Sequence, residues 1–120
     1  MDQVQFGLKA RELLQQAQMQ SFAKDRPGAI AKFTEGIELT EGCMGERPEM
    51  AAALGPMLPE FYSLRALEWH TLSQESRKPE KKSQLASARQ DIDKALSFPD
   101  AYYTRGKDGL RNLQGLIKKG

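Results

Sequence analysis

One cysteine, one histidine and one tryptophan among 120 residues narrow the chemistry open to this chain. Cys43 alone can make neither an intramolecular disulfide nor a cysteine-based zinc site. His70 has no second histidine, and Cys43 is distant in sequence, so the partners of a metal centre or nucleophilic triad are missing. No window approaches the ~18 consecutive apolar residues that suggest a membrane span. The opening MDQVQFGLKARELLQQAQMQ has neither a long apolar core nor a basic leader. No segment alternates apolar and polar with period two, so no strand is expected, and without a strand there is no phosphate loop of the strand–loop–helix kind. The formal net charge of +2 is too small to imply nucleic acid or a membrane by itself. These absences predict a soluble, non-enzymatic protein of the cytoplasm or another reducing compartment, with no visible targeting signal, no metal and no cofactor.

What is present is helical periodicity. Phe6, Ala10, Leu13, Leu14, Ala17 and Ser21 recur at three- and four-residue steps, predicting a helix over about 2–24 with a face of mostly small residues. Asp25 is a candidate N-cap and Pro27 suits a first turn, so a second helix is expected from about Pro27 to Leu39, burying Ala29, Ile30, Phe33 and Ile37. Glycines and prolines crowd 40–59, predicting an irregular stretch with one short helix over Glu49 to Leu54. Pro59 opens a third long helix, where Leu58, Tyr62, Ala66, Trp69 and Leu72 form one stripe and Phe61, Leu64 and Leu67 a second. Tyr62 and Trp69 read as core because they share a stripe with Ala66. Ser73 to Ser83 carries no apolar residue and reads as an exposed connection.

The fourth helix buries Leu85, Ala88, Ile92, Ala95 and Leu96, with Arg89, Asp91, Asp93 and Lys94 pointing elsewhere. Asp91 and Asp93 lie about 200° apart around a helix, which does not make a paired-carboxylate site. Pro99 breaks the helix and Asp100 is a candidate N-cap for a fifth, running to about Leu116 with Tyr103, Gly106, Leu110, Leu113 and Ile117 on one face. Lys118 and Lys119 suit its C-terminal end.

Two of the hairpins share an order. Ala29, Phe33, Gly36 and Ile37 correspond to Ala88, Ile92, Ala95 and Leu96, a self-similarity that suggests stacked helical pairs. With Tyr62, Ala66, Trp69 and Pro99, and with Ala101 to Gly106 as the start of a further repeat, the chain resembles the tetratricopeptide repeat (TPR) family. Ala29 and Ala88 stand roughly 59 residues apart against the family's period of about 34, so insertions at 40–58 and 73–83 must account for the excess. The resemblance implies an all-α fold of antiparallel hairpins stacked as a short right-handed solenoid of about five main helices. It implies one domain over 1–120, with hairpin 1 at about 2–39, hairpin 2 at about 59–98 and a solvated capping helix at about 100–118.

The family's members are binding scaffolds whose first helices line a concave groove, so the resemblance implies a protein or peptide partner. The groove residues would be Arg11, Leu14, Gln18, Leu64, Leu67, His70, Tyr103 and Lys107, with Gln15, Ser21, Glu60, Ser63, Thr71, Asp100 and Thr104 beside them. Leu64 and Leu67 could instead be covered by the 50–58 segment. One family branch clamps acidic chaperone tails with Lys, Asn and Arg. The corresponding positions here are Leu14, Gln18, Leu64, Asp100 and Thr104, which argues against that ligand. Two alternatives stand beside the groove: a small structural or assembly subunit of a larger complex, and a binder of an anionic partner such as nucleic acid through the basic C-terminal half, marked by Arg77, Lys78, Lys81, Lys82, Arg105, Lys107, Arg111, Lys118 and Lys119, although such a charge run reads first as a solvated loop, which argues against nucleic acid as the partner.

Overall fold

A computed structural model describes all of residues 1–120, and it contains no strand. Six α-helices follow in order: α1 (Gln3–Phe22), α2 (Arg26–Glu46), α3 (Ala51–Leu54), α4 (Met57–Gln74), α5 (Glu80–Ala95) and α6 (Asp108–Lys119), with 3-10 turns at Pro48–Met50 and Asp100–Tyr102. α1 opens on a capping box, in which the Asp2 carboxylate accepts the Gln5 N–H and the Gln5 side chain accepts the Asp2 N–H. At the α1–α2 turn Lys24 takes a left-handed conformation (φ 63°). Asp25 then caps α2 by accepting the Gly28 N–H at 3.0 Å, with Pro27 in the first turn, as its sequence anticipates.

Three boundaries differ from the sequence reading. α2 does not stop near Leu39 but continues to Glu46 through Gly42 and Gly45. A helical glycine costs only about 1 kcal/mol relative to alanine, and the extra turns bury Thr40 and Cys43. Thr40 is fully buried at little cost because its hydroxyl donates to the Gly36 carbonyl at 2.8 Å. α4 begins at Met57, so Pro59 lies in its first turn, where a missing N–H is tolerated. Ser73 is not part of an exposed connection: it belongs to α4, is fully buried, and donates its hydroxyl to the His70 carbonyl. The α4–α5 connection is confined to residues 75–79.

The helices pack in chain order. α1 lies on α2, α2 on α4, α4 on α5, and α6 crosses α5 and the adjacent side of α4, giving a body of 44 × 28 × 21 Å. Phe6, Ala10, Ala17, Ala29, Phe33, Ile37, Leu54 and Phe61 belong to a first core, and Ala66, Ala88, Ile92, Ala95 and Ile117 form a second. Tyr62 packs against both, and half-buried Trp69 against the second. α6 buries only Ile117 completely, so it covers the second core while most of its surface stays solvated.

α2 and α4 approach closely because position 36 has no side chain. A Cβ on Gly36 would stand 2.5 Å from the ring of the fully buried Phe61. Polar contacts secure the same seam. Arg65 on α4 donates to both Asp91 carboxylate oxygens on α5, at 2.7 and 2.8 Å, and to the Thr34 hydroxyl on α2, at 3.1 Å. Its guanidinium also lies 5.3 Å from the Tyr62 ring centroid. Asp91 is therefore buried, not solvent-facing as its place beside the apolar face suggests. A turn or two further along, Arg26 donates to the Ser21 carbonyl and hydroxyl of α1 and meets Glu68 of α4 at 3.4 Å and Glu75, just past its end, at 3.3 Å.

Gly36→Ala should lower stability by about 1–2 kcal/mol, since overpacking against Phe61 exceeds the helix-propensity gain. Gly42→Ala, which meets nothing within 4 Å, should raise stability by up to about 1 kcal/mol. Thermal and urea unfolding of the two variants would check the opposite signs. Asp91→Ala should cost about 3 kcal/mol because it strands the Arg65 charge, whereas Arg65→Met/Asp91→Leu should recover most of that loss. Equal losses in the single and paired variants would assign the effect to packing instead.

Candidate functional site

The chain after α5 does not enter a fifth long helix at Asp100. Leu96 ends α5, the 3-10 turn Asp100–Tyr102 follows, and α6 begins only at Asp108. Tyr103 and Gly106, placed by periodicity on a helix face, lie in this break. Gly106 has a left-handed φ of 75°, a conformation that interrupts a helix and favours glycine. Asp100 does not cap: its carboxylate accepts from Lys107 Nζ at 2.8 Å. That hydrogen bond, with the charge of Lys107, holds the exposed Asp100 carboxyl below its ordinary value.

Aromatic side chains fix the break to the body. Tyr62, Phe98 and Tyr102 form a ladder with centroid separations of 5.9 and 6.0 Å, and the Tyr102 ring lies over Gly55, leaving no room for a Cβ there. The Tyr103 hydroxyl donates to the Ala95 carbonyl at 2.7 Å and accepts the Phe98 N–H at 2.9 Å, satisfying backbone groups that the end of α5 leaves open. Lys107 Nζ stands 4.7 Å from the Tyr103 ring centroid.

Between this segment and the N-terminal turns of α4 lies an open cleft of about 300 Å³. Pro56, Pro59, Tyr102 and Leu110 supply apolar and aromatic walls, Glu60, Ser63, Thr104 and Arg105 the polar groups. Ser63 is largely buried, its hydroxyl turned back to the Glu60 carbonyl at 2.9 Å. Glu60 and Arg105 are exposed and bring opposite charges to the cleft. Polar and apolar groups share the lining about equally, which suits a ligand that is part apolar and part polar.

The residues assigned to a groove are dispersed over several settings. Arg11 and Gln18 are exposed on α1, whereas Leu14 and Leu64 are half-buried against the first core. Leu67 is 41% exposed on α4. His70 is half-buried beside Leu85 and the C-terminal Gly120. Only Tyr103 of the eight reaches the cleft, together with the flanking positions Glu60, Ser63 and Thr104, while Lys107 is engaged by Asp100 and Tyr103. α1 and α4 share no extensive interface.

Sequence reasoning missed Tyr102 and Arg105 as cleft residues because it carried a helix through 100–116, and Pro56 because it read 40–59 only as an irregular stretch. The signal available was Gly106 shortly after a tyrosine pair, a combination that suits a packed turn. Two side chains carry shifted proton affinities at the adjoining seam. Burial, reinforced by Glu41 at 3.3 Å, raises the Tyr62 phenol above its ordinary value, and hydrogen bonds to Asp91 raise the Arg65 guanidinium. No three His, Cys, Asp or Glu side chains converge to hold a metal ion, Cys43 is buried in the first core, and no helix is long and apolar enough to cross a membrane. No protein-family model matches the chain, and neither a curated protein nor a solved structure is significantly similar to it.

Tyr103→Phe should lower stability by about 1 kcal/mol. The loss should be local, with amide hydrogen exchange at Phe98 accelerating while amides in α1 and α2 keep their protection. Unchanged exchange at Phe98 would show that the phenol oxygen is dispensable there.

Proposed function

We propose that this chain is a non-enzymatic, tetratricopeptide-like helical scaffold that binds a peptide or partner helix along the exposed face of α4 and into the cleft beside it. The cleft is the observation that carries the reading. An aromatic and proline-lined depression adjoins a helix face on which Glu60, Ser63 and Leu67 stand at helical spacing, and Leu67 is an exposed apolar anchor. Glu60 and Arg105 supply charges that set the orientation of a bound segment. The dispersal of the other groove positions moves the centre of this surface from α1 toward the α4–α6 side.

A second reading, a small structural subunit of a larger assembly, is favoured by one observation. Val4, Leu8 and Met19 are exposed on the outer side of α1, away from its buried Phe6, Ala10, Leu13 and Ala17. Apolar residues on the outside of a terminal helix suit a neighbouring subunit.

Photo-crosslinking amino acids placed at Glu60 or Leu67, at Leu8, and at the control position Glu35 distinguish the two in the source cell. The scaffold reading expects a discrete adduct from positions 60 and 67, lost on Arg105→Glu, with none from Leu8 or Glu35. Adducts from Leu8 alone would replace it with the subunit reading.

A further inference from the structure

Charge is unevenly divided along this chain. Residues 61–120 contain twelve of the 18 basic side chains but only seven of the 16 acidic ones. The fold brings five of these twelve, Arg77, Lys78, Lys81, Lys82 and Lys119, to one end. α2 runs antiparallel to α4, as the pairs Arg26–Glu68 and Glu41–Tyr62 require, so the α1–α2 turn, the α4–α5 turn and the first turn of α5 meet at one extremity of the body. Arg26 joins them directly by bridging Ser21 to Glu75. The C-terminus of α6 reaches the same side, because Gly120 lies beside Leu85 and His70. Lys24, Arg77, Lys78, Lys81, Lys82 and Lys119 thereby lie at one end of the body, Lys24 on the α1–α2 side and the others on the α5–α6 side, and none of them forms an ion pair. The carboxylates at this end are Asp25, which caps α2, Glu68 and Glu75, both held by Arg26, Glu80 and the C-terminus at Gly120.

Beside Lys24, at the end of α1, stands Phe22, 91% exposed, with Gln18, Ser21 and Arg26 around the shallow depression it borders. A bare aromatic face next to unpaired cations is the pairing that single-stranded nucleic acids use, with stacking for a base and ammonium or guanidinium groups for the phosphates. At the opposite extremity Glu38, Glu41 and Glu46 on the distal part of α2 stand with Arg47, Arg105 and Arg111, so charges of both signs are mixed there.

We infer that the end formed by the α1–α2 turn, the α4–α5 turn and the start of α5 is a binding site for single-stranded nucleic acid. Lys78, Lys81 and Lys82 contact successive phosphates and Phe22 stacks on a base. The site is separate from the proposed peptide cleft, which lies at the other end of α4, so either can fail without the other. Recognition through phosphates and a π-face carries no strong sequence preference.

Fluorescence anisotropy of a labelled oligothymidylate, with a duplex of equal length for comparison, tests this on the full chain. Binding should weaken as salt rises. Lys78→Gln/Lys81→Gln/Lys82→Gln should reduce the slope of log K against log salt by about 2, given a slope near 0.7 per phosphate contact on single strands. Phe22→Ala should weaken single-strand binding at least fivefold and leave duplex binding unchanged, while Phe22→Trp retains it. Phe22, Lys24, Lys78 and Lys82 are exposed and Lys81 is half-buried, and circular dichroism should show the variants folded; Lys24→Glu supplies an independent charge test. Arg47→Gln, at the opposite end, should have no effect. Absence of oligonucleotide binding at about 50 mM salt overturns the proposal, as does binding that the triple variant leaves intact. Phe22-dependent binding to phosphatidylserine vesicles in place of the oligonucleotide would assign the end to a membrane surface. Salt-sensitive self-association in its place would assign it to a second copy of this chain.

Discussion

The arrangement of three helices depends on one guanidinium. Arg65 reaches α5 through two hydrogen bonds to Asp91 and α2 through one to Thr34, while resting on the Tyr62 ring of its own helix. A planar fork has one productive geometry, so α4 can neither slide nor rotate against its neighbours without losing it. Apolar surfaces built of alanine and leucine offer several near-equivalent registers. The directional contacts choose among them, and the largely buried Asp91 makes a wrong choice expensive.

Around that seam the packing is set by how closely helices approach. Gly36 lets the Phe61 ring sit on the α2 backbone, and Ala10, Ala17 and Ala29 keep α1 close to α2. Arg26 repeats the logic of Arg65 at the other end of the seam, joining α1, α2 and α4. The structure thus has two polar fasteners at the edges of its cores, each with a carboxylate on a helix distant in sequence.

The cleft follows from how α5 ends. With its last carbonyls exposed, the chain needs donors, and the Tyr103 hydroxyl supplies one to Ala95 while the same oxygen receives the Phe98 N–H. Holding Tyr103 in that role keeps residues 103–107 out of the helix, and the displaced segment stands off α4 enough to leave an opening. Capping of one helix and the shape of the candidate binding surface are one structural event.

Helical class, the Asp25 cap and the buried faces of α1, α2 and α5 were legible in the order of residues, because periodicity and capping are interactions within a few positions along the chain. Where α2 ends was not: Gly42 and Gly45 read as punctuation until the burial of Thr40 and Cys43 outweighed them. Asp91 and Ser73 read as solvent-facing for the same reason, since their burial depends on Arg65 and on the fit of α4 against α5. The candidate cleft was legible only in pieces, through Glu60, Ser63, Tyr103 and Thr104. Local patterns determined which segments coil and which side of each is apolar. Partner identity, helix ends, the break at Tyr103 and the gathering of cations at one end were decided by tertiary structure, since they join residues tens of positions apart.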